Sequence, residues 1–159
     1  MLDADKVRKF WNERALSYKR VAFESVANLE QDHALLQIKV DDETRKVSEW
    51  LGPVDGLQVL DLGAGVGQWS FRLAQWGAAR VVAVEYAAPL VELGRAEAQR
   101  RGLEQVSFVE SAAEDFSTEE TFDLLFVSGL FVYLNDDQAE ALLSRLAGFV
   151  RPGGRLLLR

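Results

Sequence analysis

The sequence predicts an α/β protein: an open parallel sheet preceded by a helical region. Two observations carry that prediction. From Gly56 onward, short β-branched or leucine-rich runs alternate with longer helical patterns, the spacing of right-handed βαβ units. Before Pro53 the chain reads as helical throughout, with no Gly or Pro until Gly52. The expected organisation is a helical cap or lid over residues 1–52 and a sheet-and-helix core over 53–159.

The elements follow in order. The N-terminal helices carry the aromatic anchors Phe10, Trp11, Tyr18 and Phe23 among many charges. Leu57–Leu62 reads as a first strand, followed by a helix over about Gln68–Trp76. Val81–Val84 is a second strand, with a helix over about Ala88–Arg101. Val106–Val109 is a third. Phe122–Val127 is a fourth, nearly all apolar as suits a strand covered on both faces. Ala139, Leu142, Leu143, Leu146, Ala147 and Val150 fall on one face of a helix over about Asp136–Val150. Asn135 can cap that helix, with Gln138 three residues on completing a capping box. Pro152-Gly-Gly154 stops it, and Arg155–Leu158 begins a fifth strand. The chain reaches Arg159 with the apolar edge Leu156–Leu158 unpaired, and such edges invite association. A longer parent chain is therefore expected, with a second copy or a further C-terminal domain over that edge.

Composition narrows the partners. With 18 Lys and Arg against 25 Asp and Glu, the net charge is −7. Such a surface repels phosphate backbones, and Lys and Arg are scattered rather than clustered, so nucleic acid is not expected. There is no Cys and one His, His33, which removes disulfides, thiolate chemistry and histidine metal clusters. No apolar run approaches the roughly 20 residues needed to cross a bilayer. A cytoplasmic protein with no metal is expected.

In an open parallel sheet, ligands bind beyond the carboxyl ends of the strands. The first such loop is Asp61-Leu-Gly63-Ala64-Gly65-Val-Gly67. Glycines at alternate positions remove the Cβ atoms that keep a ligand off the backbone, and the following helix offers free N–H groups. The G-x-G-x-x-G of dinucleotide enzymes fails because its last position is Gln68, and no Walker lysine is present. What remains is a glycine turn led by a carboxylate, Asp61, suited to a ligand carrying positive charge. Read alone, the turn equally well only joins a strand to a helix. Glu85 changes that balance. It follows the second strand directly, eighteen positions after Gly67, where a carboxylate accepts hydrogen bonds from both hydroxyls of a ribose.

The glycine segment, Glu85, Phe108–Phe116 (FVESAAEDF) and Phe122–Leu130 (FDLLFVSGL), taken in order, resemble the successive motifs of class I S-adenosylmethionine (SAM)-dependent methyltransferases. Arg151–Arg155 (RPGGR) resembles the turn into their fifth strand, and the similarity covers roughly residues 56–159. The resemblance implies a Rossmann-like sheet of strand order 3-2-1-4-5 with the C-terminal strands absent. It implies SAM as cofactor, S-adenosylhomocysteine (SAH) as product, and a small-molecule methyl acceptor. By the same resemblance the glycine loop wraps the methionine part, Glu85 holds the ribose and Tyr86 lies near the adenine. Ala112 and Ala113 occupy the adenine positions, where the family often has an acidic residue; Glu114 is the substitute. Ser128, Gly129 and Leu130 approach the sulfonium. Tyr18 covers the cofactor and Arg45 pairs with its carboxylate.

Catalytic residues are less legible. Small-molecule relatives often carry His after the fourth strand, and here the stretch is Phe131-Val-Tyr133-Leu134. Tyr133 and His33 are the candidate bases, although a phenol of pKa about 10 is a poor base at neutral pH. Packing is the competing role for Tyr133, and a plain surface position for His33. The function expected is methyl transfer to an oxygen or nitrogen of a small metabolite. The alternative is a SAM-binding module without turnover, or one part of a larger multifunctional enzyme.

Overall fold

The computed structural model describes residues 4–16 and 32–159. Two helices come first, α1 (Ala4–Leu16) and α2 (His33–Leu51). The core then runs β1 (Gln58–Leu62), α3 (Gln68–Gln75), β2 (Arg80–Glu85), α4 (Ala88–Arg101), β3 (Val106–Glu110) and β4 (Phe122–Val127). A 3₁₀ turn at Phe131–Tyr133, α5 (Asp136–Ala147) and β5 (Val150–Leu158) complete it. The five strands are all parallel in the order β3-β2-β1-β4-β5, as the sequence predicts.

The sheet is apolar on both faces, which is why its strands read as continuous hydrophobic runs. Val59, Val81, Ala83, Leu124 and Phe126 face α3 and α4 in one core layer. Leu60, Leu62, Val82, Val84, Leu125 and Val127 face α5 in the other. α2 buries Leu36, Val40, Val47 and Leu51, and the last two join the first of these layers. Asp32 caps α2, accepting from the N–H groups of Ala34 and Leu35 at 2.9 and 3.2 Å.

Two expectations are corrected around β5. α5 ends at Ala147 rather than Val150, because Gly148 and Phe149 turn the chain there and Val150 already pairs with Phe122. Pro152-Gly-Gly154 lies inside β5 as a bulge: Phe122 pairs Val150 and Leu124 pairs Arg155, so the extra residues are looped out of the ladder. The apolar stripe of α5 is narrower than its periodicity suggests. Leu142 and Leu146 are buried while Leu143 is exposed. The capping box at Asn135 and Gln138 forms as predicted, with reciprocal bonds of 2.9 and 3.0 Å.

Candidate functional site

A cavity of about 580 Å³ opens at the carboxyl ends of the strands. Its floor is the β1–α3 turn, where Gly63 and Gly65 adopt φ of +77° and +57°. The N–H groups of Gly63 and Ala64 both donate to the Val84 carbonyl, at 2.9 and 3.0 Å. The turn is thereby tied to the end of β2. Glu85 braces it from the other side: Oε2 accepts from the Gly65 N–H at 3.0 Å and Oε1 from the Ala87 N–H at 2.9 Å. A carboxylate accepts about four hydrogen bonds; with the Tyr86 N–H also acting on it, capacity for a hydroxyl donor remains. Burial pushes the Glu85 carboxyl up, against the pull of the Ala87 and Gly65 N–H groups.

Asp61 lies beside it, 2% exposed, and accepts from Ser70 Oγ at 2.6 Å. Burial pushes its carboxyl up to about 7, with Ser70 opposing and Glu85 reinforcing. Near neutral pH this group is balanced between its two charge states, and an arriving cation would tip it to the carboxylate. Among the described residues the cavity wall bears four acidic side chains, Glu43, Asp61, Glu85 and Glu114, against Arg8 and Arg159. That balance favours a cationic ligand.

Of the residues expected at the site, Asp61, Gly63, Ala64, Gly65, Glu85, Tyr86, Ala112, Ala113, Glu114, Ser128, Gly129, Leu130 and Tyr133 all line this cavity. Three fall elsewhere. Gly67 turns its missing side chain away from the cavity: a Cβ there would lie 2.4 Å from Phe108 Cζ. Arg45 stands roughly 140° round α2 from Val40, on the solvent side, held by Asp42 at 2.9 Å and Glu49 at 2.8 Å. In this structure its guanidinium is engaged in surface ion pairs and does not line the cavity. His33 is exposed at the start of α2 and is not among the described residues that line the cavity. Tyr18 and Phe23 lie outside the described residues.

The Tyr86 hydroxyl is buried with no hydrogen-bond partner among the described residues, and burial raises its pKa. A buried hydroxyl left unpaired costs about 1–3 kcal/mol, which a ligand group in the cavity would relieve. α1 closes over this end. The Arg8 guanidinium lies 5.5 Å from the Tyr86 ring centre, and Trp11 meets Tyr133 edge-on at 6.3 Å. Further wall residues that sequence reasoning missed are Arg8, Glu43, Trp69, Gln138 and Arg159. Trp69 was within reach, two positions after Gly67 on the first turn of α3; the others carry no local signal.

The model of the methyltransferase domain family matches residues 59–154. The chain belongs to that family. It is 39% identical over 108 residues to the cypemycin N-terminal methyltransferase of a Streptomyces species, 67% of this chain and 42% of that protein. It is 28% identical over 148 residues to phosphoethanolamine N-methyltransferase 1 of Arabidopsis thaliana, 89% of this chain and 30% of that one. The chain thus spans under half the length of these curated relatives. Among solved structures, Haemonchus contortus phosphoethanolamine N-methyltransferase 1, in complex with phosphoethanolamine and SAH, superimposes with a TM-score of 0.83 at 21% identity. That match covers 98% of this chain and 31% of that one. Among the described residues no group of acidic or His side chains is placed to hold a metal, and no helix is long and apolar enough to cross a membrane.

Proposed function

We propose that this protein binds S-adenosylmethionine in the cavity and transfers its methyl group to a nitrogen or oxygen of a small molecule, leaving SAH. The observation that carries the reading is Glu85, a buried carboxylate at the end of β2 that braces the glycine turn and keeps lone pairs for a ribose. Bound there, the cofactor supplies an electrophilic methyl on a positively charged sulfur.

The chain's own residues do the rest. Gly63–Gly65 lie against the methionine part, and Asp61 offers negative charge beneath it. Tyr86, Ala112, Ala113 and Glu114 form the adenine end. Ser128, Gly129 and Leu130 border the reacting centre, and Tyr133 forms the acceptor wall together with Trp11. The transfer is an in-line displacement, so its main demand is a nucleophile held close and water kept out. The described cavity holds no histidine base, which suits an amine that already carries a free lone pair. The names of the phosphoethanolamine N-methyltransferases and the cypemycin N-terminal methyltransferase support nitrogen; a ubiquinone biosynthesis O-methyltransferase, 31% identical over 128 residues, keeps oxygen open.

The helical region up to residue 52 acts in this reading as a lid, with Arg8 and Trp11 as its contacts. The outer edge of β5, where Leu156 and Leu158 are 40% and 42% exposed, is the face a homodimer partner or a further domain would cover. A cytoplasmic location is part of the same proposal.

Calorimetry with SAH tests the cofactor assignment. Binding is expected, and at 100 times its Kd the ligand should stabilise the fold by about 2.7 kcal/mol. Lack of binding, or unchanged affinity in Glu85→Ala, sinks it. Production of SAH from SAM with a panel of amines and alcohols then separates turnover from binding alone.

A further inference from the structure

Glu43, Trp69 and Arg159 come from α2, α3 and the residue following β5, and they meet on the cavity wall. The Arg159 guanidinium lies over the Trp69 indole, 5.2 Å from the ring centre. Its Nη2 donates to Glu43 Oε1. The Arg159 side chain is 25% exposed. Its backbone is locked to the β4 loop: its N–H donates to the Val127 carbonyl at 3.0 Å, and its carbonyl accepts from the Gly129 N–H at 2.8 Å. A guanidinium carries five N–H donors in a rigid fork. Glu43 engages one nitrogen and the indole fixes the plane, so an edge of the fork remains for a ligand in the cavity.

The place of this group along the sheet says which ligand that is. Neighbouring strands lie about 4.8 Å apart, and the order β2-β1-β4-β5 sets Arg159 three strands, roughly 14 Å, from Glu85. A ribose on Glu85 and a methionine part on the β1 turn leave the end of β5 on the far side of the reacting centre. An in-line displacement brings the acceptor in from that side. We propose that Arg159, set by Trp69 and Glu43, anchors an acid group, phosphate or carboxylate, on the methyl acceptor. The acceptor class is then an amine or alcohol whose other end is an anion. This deepens the function proposed above and rests on its cofactor assignment.

Titration of the SAH-saturated protein with inorganic phosphate and, separately, with acetate, at constant ionic strength, tests the proposal. Tryptophan fluorescence is the readout, with Trp69→Phe as its control. Saturable binding of at least one of the two anions is expected, and their relative affinities distinguish phosphate from carboxylate. Arg159→Gln should weaken it about tenfold or more, since a charge-assisted pair is lost. Glu43→Gln should tighten it, because a competing carboxylate is removed; an ion pair that only holds the fold together would give no such gain. No saturable binding of either anion, or equal binding in Arg159→Gln, overturns the proposal. So does a weakening of SAH binding by about tenfold in Arg159→Gln with no anion bound to the SAH complex, since Arg159 would then serve the cofactor's own carboxylate. Failure of the wild-type protein to bind SAH defeats the cofactor assignment instead, and the same titration without SAH still judges Arg159.

Discussion

The two ends of the cavity are built differently. At the β1–β2 end the wall is backbone: a glycine turn, a strand terminus and a carboxylate that clamps one to the other through N–H groups of Gly65 and Ala87. At the β4–β5 end the wall is side chains from distant segments: Glu43 with Trp69 around Arg159. The first end is specified by local sequence. The second depends on how α2 and β5 dock, and it is where substrate choice would reside. A shared cofactor at a backbone-built end, with acceptors sorted at a side-chain-built end, is a division that lets one scaffold serve several acceptors.

The largest expected effect tests the backbone-built end through Asp61. Its folded pKa, about 7 against an ordinary value of 3.8, lies above the unfolded value. The folded state therefore holds an extra proton between them, and stability is full below about pH 4 and falls as pH rises through about 7. The loss is on the order of 4 kcal/mol. Glu85, also raised, adds in the same sense, whereas Asp42, Glu97, Glu120 and Asp123 are lowered and act only in more acid solution. Urea unfolding between about pH 5 and about pH 8 should show the decline, flattened in Asp61→Asn. The ratio of SAM to SAH affinity should rise over the same range, since the carboxylate favours the cationic ligand. A flat profile would mean that Asp61 stays ionised in the folded protein.

Next comes a contrast within the glycine turn. Gly67→Ala sets a Cβ 2.4 Å from Phe108 Cζ at φ +86°, and should cost roughly 2–4 kcal/mol of stability. Gly65→Ala meets open space at φ +57° and should cost only about 1 kcal/mol. Equal urea midpoints for the two would show that Phe108 yields. Glu85→Ala strips the partners from Gly65 and Ala87, and SAH affinity should fall about 10- to 100-fold.

Smaller effects belong to the side chains of the two N-terminal helices. Trp11→Leu removes the edge contact with Tyr133, worth about 0.5–1.5 kcal/mol; a higher acceptor KM with little change in SAH affinity is the expected pattern. A matching loss of SAH affinity would move Trp11 to the cofactor. Arg45→Ala should change SAH affinity by less than about twofold, because its partners are exposed surface carboxylates. A tenfold loss would instead assign Arg45 to the cofactor's carboxylate.

The strands and the glycine-lined end of the cavity were legible in the chain's own residues, and the strand order came with the family resemblance. Strand periodicity, alternate glycines and a strand-terminal Glu85 are local features, and local backbone geometry follows from them. A glycine needed for ligand approach and one needed for packing read alike, and only the fold reveals Phe108 behind Gly67. An amphipathic helix with several charged faces does not say which face looks inward, and only the fold sets Arg45 among surface carboxylates. Tertiary structure alone decided that Glu43, Trp69 and Arg159 meet. They lie 26 and 90 residues apart along the chain, and what joins them is the docking of α2 against a sheet whose last strand carries Arg159 to the cavity rim.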